Sequence, residues 1–299
     1  HLTDAGAFEK RPGTPDTDGF ETGVFSNVRG RTMKTTDEII AISDPGEVGR
    51  ENHNRGDRFI VVISNVFAWL FPFLMIAICS QVVLRYIGMN QAWLDDFQWW
   101  LYGAAVLIGI GYAVTTNSHV RVDILYDRFP IEKKTRIEIF ALAWLFLPFI
   151  ILCWDVTLSY AISSVTAWEG SDSPNGLHNL WILKVFMNIS FIFIGIATWA
   201  AYVRNLSIMT RPVLWKQLLF AFPSTMFLIN LVVYYVLWWG VYLTSPADTT
   251  TREVGRHAIF DEVEIGAYDI KYTIIITLVL TIAVIAAVRV FDRSARSQG

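Results

Sequence analysis

Six long apolar runs separated by short polar connections fix most of what this chain can become. They extend from Phe59 to Leu84, Phe97 to Val114, Ile139 to Val165, Val185 to Leu206, Leu218 to Leu243 and Tyr272 to Phe291. A helix that crosses hydrocarbon needs about 20 mainly apolar residues, because lipid offers no partner to an open backbone N–H or C=O. The chain is therefore expected to be all-α, an integral membrane helical bundle of about six transmembrane helices. Pro72, Pro148 and Pro223 fall inside the first, third and fifth runs. Each lacks an amide hydrogen and crowds the preceding turn, so each is expected to kink its helix.

Charge is scarce and uneven. Of the 299 residues, 17% are charged, against about 25% in an ordinary soluble domain. Residues 1–58 hold much of the polar content and read as a flexible cytoplasmic tail. No apolar run in residues 1–30 is long enough for a signal peptide, so the first span is expected to direct insertion. The formal charge of −3 gives no reason to expect nucleic acid as a partner. Cys79 and Cys153 lie within apolar runs without metal-site spacing, and read as small buried hydrophobes.

Lys and Arg in short loops set orientation. One side has Arg50, Arg55 and Arg58 before the first run, then Arg121, Arg128, Lys133, Lys134 and Arg136, then Arg211 and Lys216, and finally Arg293 and Arg296. The other has none in 86–96 or 166–183, and only Arg252, Arg256 and Lys271 in its last, acidic loop. Both termini are expected in the cytoplasm. Trp93, Trp99, Trp100, Trp168, Trp181, Trp238, Trp239 and Tyr242 fall at the expected periplasmic ends, as an interfacial belt should. The stretch from Val122 to Ile137 is too charged to span, and is expected to form an amphipathic segment on the cytoplasmic interface after the second helix.

Several chemistries are missing. His1, His53, His119, His178 and His257 all fall in loops or tails, where they cannot clasp a haem between two spans. There is no Gly-rich lysine loop, HExxH or nucleophile-elbow serine, and no matched pair of broken helices of the kind that forms a transporter's substrate site. No catalytic residue, cofactor or metal is expected. Asp155 is the exception to weigh, since a carboxylate inside a span is costly unless paired or functional. Arg85, ending the first run on the same expected side, is its candidate partner. Ala105, Gly109 and Ala113 recur every four residues on the second helix, a spacing that lets another helix approach closely.

Four segments then resemble a known family. The first run ends Gln81-Val82-Val83-Leu84-Arg85-Tyr86. Trp93-Leu94-Asp95-Asp96 precedes the second, and His119-Val120-Arg121-Val122-Asp123 follows it. Glu169-Gly170-Ser171, Pro174, Gly176-Leu177, Trp181 and Lys184 precede the fourth. In this order and at these helix ends they resemble the small permease (DctQ-type) subunit of tripartite ATP-independent periplasmic (TRAP) transporters, from about Phe59 to Leu206. The resemblance implies a non-catalytic scaffold in a bacterial inner membrane. Its partners would be a large permease, which moves an organic acid on a sodium gradient, and a periplasmic binding protein.

Arg85, Trp93, Asp95, Asp96, His119, Asp123, Glu169 and Lys184 would serve as helix-end anchors and interface residues rather than substrate ligands. The chain departs from the pattern at Asn175, where a second Gly is common, and at Asn188, where Pro is frequent. It also divides unusually, into the tail 1–58, a four-helix small-permease-like domain 59–210, and a two-helix extension 211–299 with an acidic periplasmic loop. Those additions open an alternative: a structural subunit recruited to another multi-subunit membrane complex, respiratory or photosynthetic.

Overall fold

A computed structural model of the chain describes residues 50–118, 126, 128–246, 249–265 and 268–297. His119, Asp123 and most of the N-terminal tail lie outside the described residues. Among the described residues, six helices are long and apolar enough to cross a membrane: Arg55–Tyr86, Ala92–Thr116, Ile131–Thr166, Trp181–Met209, Phe222–Thr244 and Tyr272–Arg293. The protein is a multi-pass, all-α membrane bundle.

The prolines explain where these spans break. The first consists of α1 (Arg55–Ala68) and α2 (Leu70–Tyr86), which part at Trp69, three residues before Pro72. The second is α3 (Ala92–Thr116). The third runs as α4 (Ile131–Phe140), a wider π-type segment (Ala141–Phe146) and α5 (Leu147–Thr166), with Pro148 just past the join. The fourth, α6 (Trp181–Met209), is unbroken. Next come α7 (Leu214–Phe220) and the fifth span, α8 (Phe222–Thr244), separated at Ala221 two residues before Pro223. In each case the helix yields on the N-terminal side of the proline, where the missing N–H and ring clash act.

Neighbouring side chains take up carbonyls around two of the breaks. The Ser224 hydroxyl donates to Ala143 O in the π segment, and Trp144 Nε1 donates to Phe220 O at 2.8 Å. Such substitution by neighbouring helices is what makes a broken helix tolerable in lipid.

The amphipathic reading of Val122–Ile137 changes in its described part. From Ile131 onward those residues are the first turns of the third span, begun by Pro130, with no separate interfacial helix there. Pro130 favours this start because a helix end has no use for the amide hydrogen that proline lacks.

The fourth span is the hub. α6 packs against α1, α3, α4 and α5. Ile60, Ile108, Phe193 and Ala197 fill one apolar cluster; Ile139, Ala143, Ala201, Tyr202 and Leu206 contribute to a second. Gly111 permits the α3–α6 approach, since a Cβ there would lie 2.7 Å from the Phe193 ring. Gly109 of the expected small-residue stripe has no such neighbour within 4 Å.

The last two spans are appended in series. α8 lies against α5 and the π segment, and the sixth span, α10 (Tyr272–Ser297), lies against α8 and α7. Thr273, Thr277 and Thr281 are buried at four-residue spacing on α10. Thr277 Oγ1 reaches Asn230 Oδ1 of α8 at 3.2 Å.

The connection between these spans includes the single turn α9 (Thr251–Val254) and an antiparallel pair, β1 (Glu262–Ile265) and β2 (Tyr268–Lys271), in which Glu262 faces Lys271. Phe260 folds this loop back onto the Tyr234 ring, 5.4 Å between centroids.

Candidate interface site

Three of the four motif segments, those holding Arg85, Asp95 and Glu169, lie at the tryptophan-rich end of the first four spans. Arg85 ends α2 and Asp95 opens α3, ten residues apart across a tight connection. Arg85 Nη2 donates to both oxygens of Asp95, at 3.1 and 3.0 Å. The Gln81 amide donates to Asp95 Oδ1, and Gln98 donates in turn to the Gln81 oxygen. The first and second spans are thus tied by a chain of four polar side chains. Gln81 is buried, whereas Arg85 and Asp95 are well exposed; the ion pair adds little by itself, and the buried amide at its base gives the knot its order.

The expected Arg85–Asp155 pair does not form. Asp155 instead accepts a hydrogen bond from Tyr235 Oη at 2.7 Å, which joins the third span to the fifth. Arg85 lies beside the nearer carboxylate, Asp95, at the mouth of its own hairpin. Trp93 sits at the same end and donates from Nε1 to Gln91 at 3.2 Å.

Asp96, one residue on, is engaged by a different segment. Its Oδ2 accepts the amide of Leu177 at 2.9 Å, across 81 positions of sequence. The loop 169–180 is closed onto this carboxylate, with Ser171 N donating to Leu177 O at 2.9 Å. Gly176 has no room for a side chain: a Cβ would lie 2.6 Å from Asp96 Oδ2 and 2.4 Å from Ser171 Oγ. Asn175 takes a left-handed backbone, φ +59°, a conformation that glycine adopts freely and asparagine tolerates.

Glu169 closes the other side of this loop. Lys184 Nζ lies 2.5 Å from its Oε2 and stacks 3.9 Å from the Tyr160 ring centroid. Ser164 Oγ donates to the same oxygen. Donation first from Lys184 and then from Ser164 holds the Glu169 carboxyl below the usual range, against a smaller opposing effect of burial. Asn188 is buried and donates to Trp154 O and Thr157 Oγ1, at 2.8 and 2.9 Å. It links α6 to α5 without a proline.

A second constellation lies at the opposite, basic end. Asn54 and Asp57 cap α1 reciprocally, and Arg204 of α6 reaches Asp57 at 2.8 Å. Neither charge stood out in the sequence, because Asp57 sits at the edge of the tail and Arg204 near the end of an apolar run. A cation inside a span is the signal that would have found it. His53, also buried, has its pKa lowered by burial, with Arg204, Arg50 and Arg58 adding to the shift and Asp57 opposing it.

Among the described residues no group of three His, Cys, Asp or Glu is placed to hold a metal ion. Asp95, Asp96 and Glu169 are engaged, respectively, by a cation, a backbone amide, and a cation with a hydroxyl.

Fold and site together define a multi-pass membrane protein with six candidate spans among the described residues, the first four of them tied by polar side chains at one end. Residues 74–208 match the family of Tripartite ATP-independent periplasmic transporters, DctQ component. The match takes in a little under half of the chain. It contains the knot from Gln81 to Lys184 and ends before the fifth and sixth spans. Over this stretch the chain is similar to that transporter component. No curated protein and no solved structure matches it.

Proposed function

We propose that the chain is a non-catalytic small-permease subunit that holds a large permease in a bacterial inner membrane. The observation that supports this most is the meeting of Arg85, Asp95, Asp96, Glu169 and Lys184 at one end of the bundle, inside the matched residues. A polar knot whose side chains are paired with one another across helix ends suits a rigid platform. With the basic ends of the spans in the cytoplasm, both termini are cytoplasmic and the knot faces the periplasm. There it would help form the surface on which a periplasmic binding protein docks.

A second reading, a structural subunit of a different membrane complex, is favoured by the fifth and sixth spans, which lie outside the matched stretch. Affinity purification in mild detergent from native membranes, with mass spectrometry of co-purifying chains, separates the two. A large multi-span permease recovered in near-equal amount supports the transporter role. Recovery of another complex without such a permease rejects it in favour of the second reading.

A further inference from the structure

We infer that the basic end of the fifth and sixth spans holds one anionic phospholipid. This inference does not depend on which complex the chain serves. A cavity of about 230 Å³ opens there between the start of α7 and the end of α10. Arg211, Lys216, Arg289 and Arg293 line it, against one carboxylate, Asp292. Four positive charges against one negative leave three in excess around a space that suits a phosphate headgroup.

The cations are arranged around Trp215. Arg289 lies 5.1 Å from its ring centroid and Lys216 5.8 Å, while Lys216 Nζ is also held 2.5 Å from Thr210 Oγ1. Guanidinium and ammonium groups stacked on an indole keep donors free for an anion on their other side.

A lipid fits better than a soluble anion because the cavity continues into an apolar groove. Trp215, Arg289 and Arg293 also border a second space of about 450 Å³, whose remaining walls include Leu219, Phe222, Ile282 and Ile285. Basic rim and apolar trough share three residues, in the order a phospholipid presents phosphate and acyl chain. Basic pockets between spans are a recurrent form of anionic headgroup recognition.

The test uses the full chain purified in mild detergent, with thermal unfolding and native mass spectrometry as readouts. Dioleoyl-phosphatidylglycerol should raise the melting temperature by several degrees more than dioleoyl-phosphatidylcholine at equal mole fraction, and should survive as a one-lipid adduct. Arg289→Gln with Arg293→Gln should weaken phosphatidylglycerol binding about tenfold while leaving the melting temperature in phosphatidylcholine near that of the parent. Ala286→Trp, on the exposed wall of the groove, should weaken it similarly with all four cations intact. Equal stabilisation by the two lipids, full retention in the double variant, or a phosphatidylglycerol effect reproduced by inorganic phosphate alone would overturn the inference.

Discussion

Arg204 Nη1 lies 2.8 Å from Asp57 Oδ2, and its second terminal nitrogen donates to Thr115 O, also at 2.8 Å. One guanidinium therefore joins the entrance of the first span, the exit of the second and the last turns of the fourth. Asp57 is fully buried and Arg204 nearly so, which makes each dependent on the other for compensation.

Removing one member of a buried pair strands the other charge, at a cost of about 3–5 kcal/mol. Asp57→Ala and Arg204→Ala should each lower stability by that order in thermal or denaturant unfolding. The double variant should lose less than the sum, because the second substitution removes the stranded charge. Arg204→Lys should fall between, since one ammonium cannot make both contacts. Additive losses in the double variant would mean that the two side chains act independently.

Tyr235 and Asp155 tie the appended fifth span to the third. Tyr235→Phe removes the donor and should cost about 1 kcal/mol, the usual scale for a hydrogen bond between spans. Asp155→Asn keeps an oxygen acceptor and should cost less than Asp155→Ala. A cysteine cross-link between α5 and α8 should form less efficiently in Tyr235→Phe; unchanged efficiency together with unchanged stability would remove this bond from the account of how α8 is held.

The spans and their breaks were legible because both are local properties. Apolar length gives a span, and a proline's missing hydrogen acts within one turn of its own position. Pairing across helices was less legible. Arg85 was matched to Asp155, but several other acidic residues lie on its expected side of the membrane, and sequence pattern carries no distance with which to choose Asp95 among them. Arg204 escaped for a related reason: one cation hardly changes the average of a 29-residue helix, and its value depends on a partner 147 positions away. The β1–β2 pair was hidden by charged residues in a loop noticed chiefly for its acidity. In the motif loop, Gly176 and Asn175 were visible as pattern and departure, while the carboxylate pressed against Gly176 was not.

That loop offers a direct test of close packing. Gly176→Ala drives a methyl group toward Asp96 and Ser171 and should cost about 1–3 kcal/mol, the range for overpacking a tight site. Protease cleavage between residues 170 and 180 should accelerate. Asn175→Gly, which suits the left-handed backbone, should not lower stability. Equal behaviour of the two variants would show that the loop moves aside freely.

His53 should make the basic end sensitive to mild acid. Its folded pKa is lowered from the ordinary 6.5, chiefly by burial, so the unfolded chain binds the proton more readily. Stability should be fully present above about pH 6.5 and decline as pH falls from there toward the lowered value. His53→Gln should flatten that decline when melting temperature is followed from pH 7.5 to 5. A parent protein with no slope in this window would show that the imidazole is as well solvated folded as unfolded.

Glu169 should report on the opposite end in a separate window. Its carboxyl is held below the ordinary 4.5 by donation from Lys184 and Ser164, so here too folding is favoured by the deprotonated form. The contribution is complete above that ordinary value and should be lost as pH falls below it. Lys184→Met removes the first donor and should bring the folded pKa back toward 4.5, flattening the acid limb of the melting curve below about pH 4.5 without touching the His53 window. Glu169→Gln should flatten the same limb, because no proton remains to be taken up there. If both variants kept the parent's acid limb while His53→Gln changed only the upper window, the acid sensitivity would belong to other carboxylates, and the Glu169–Lys184 contact would be a consequence of the loop's shape rather than a cause of it.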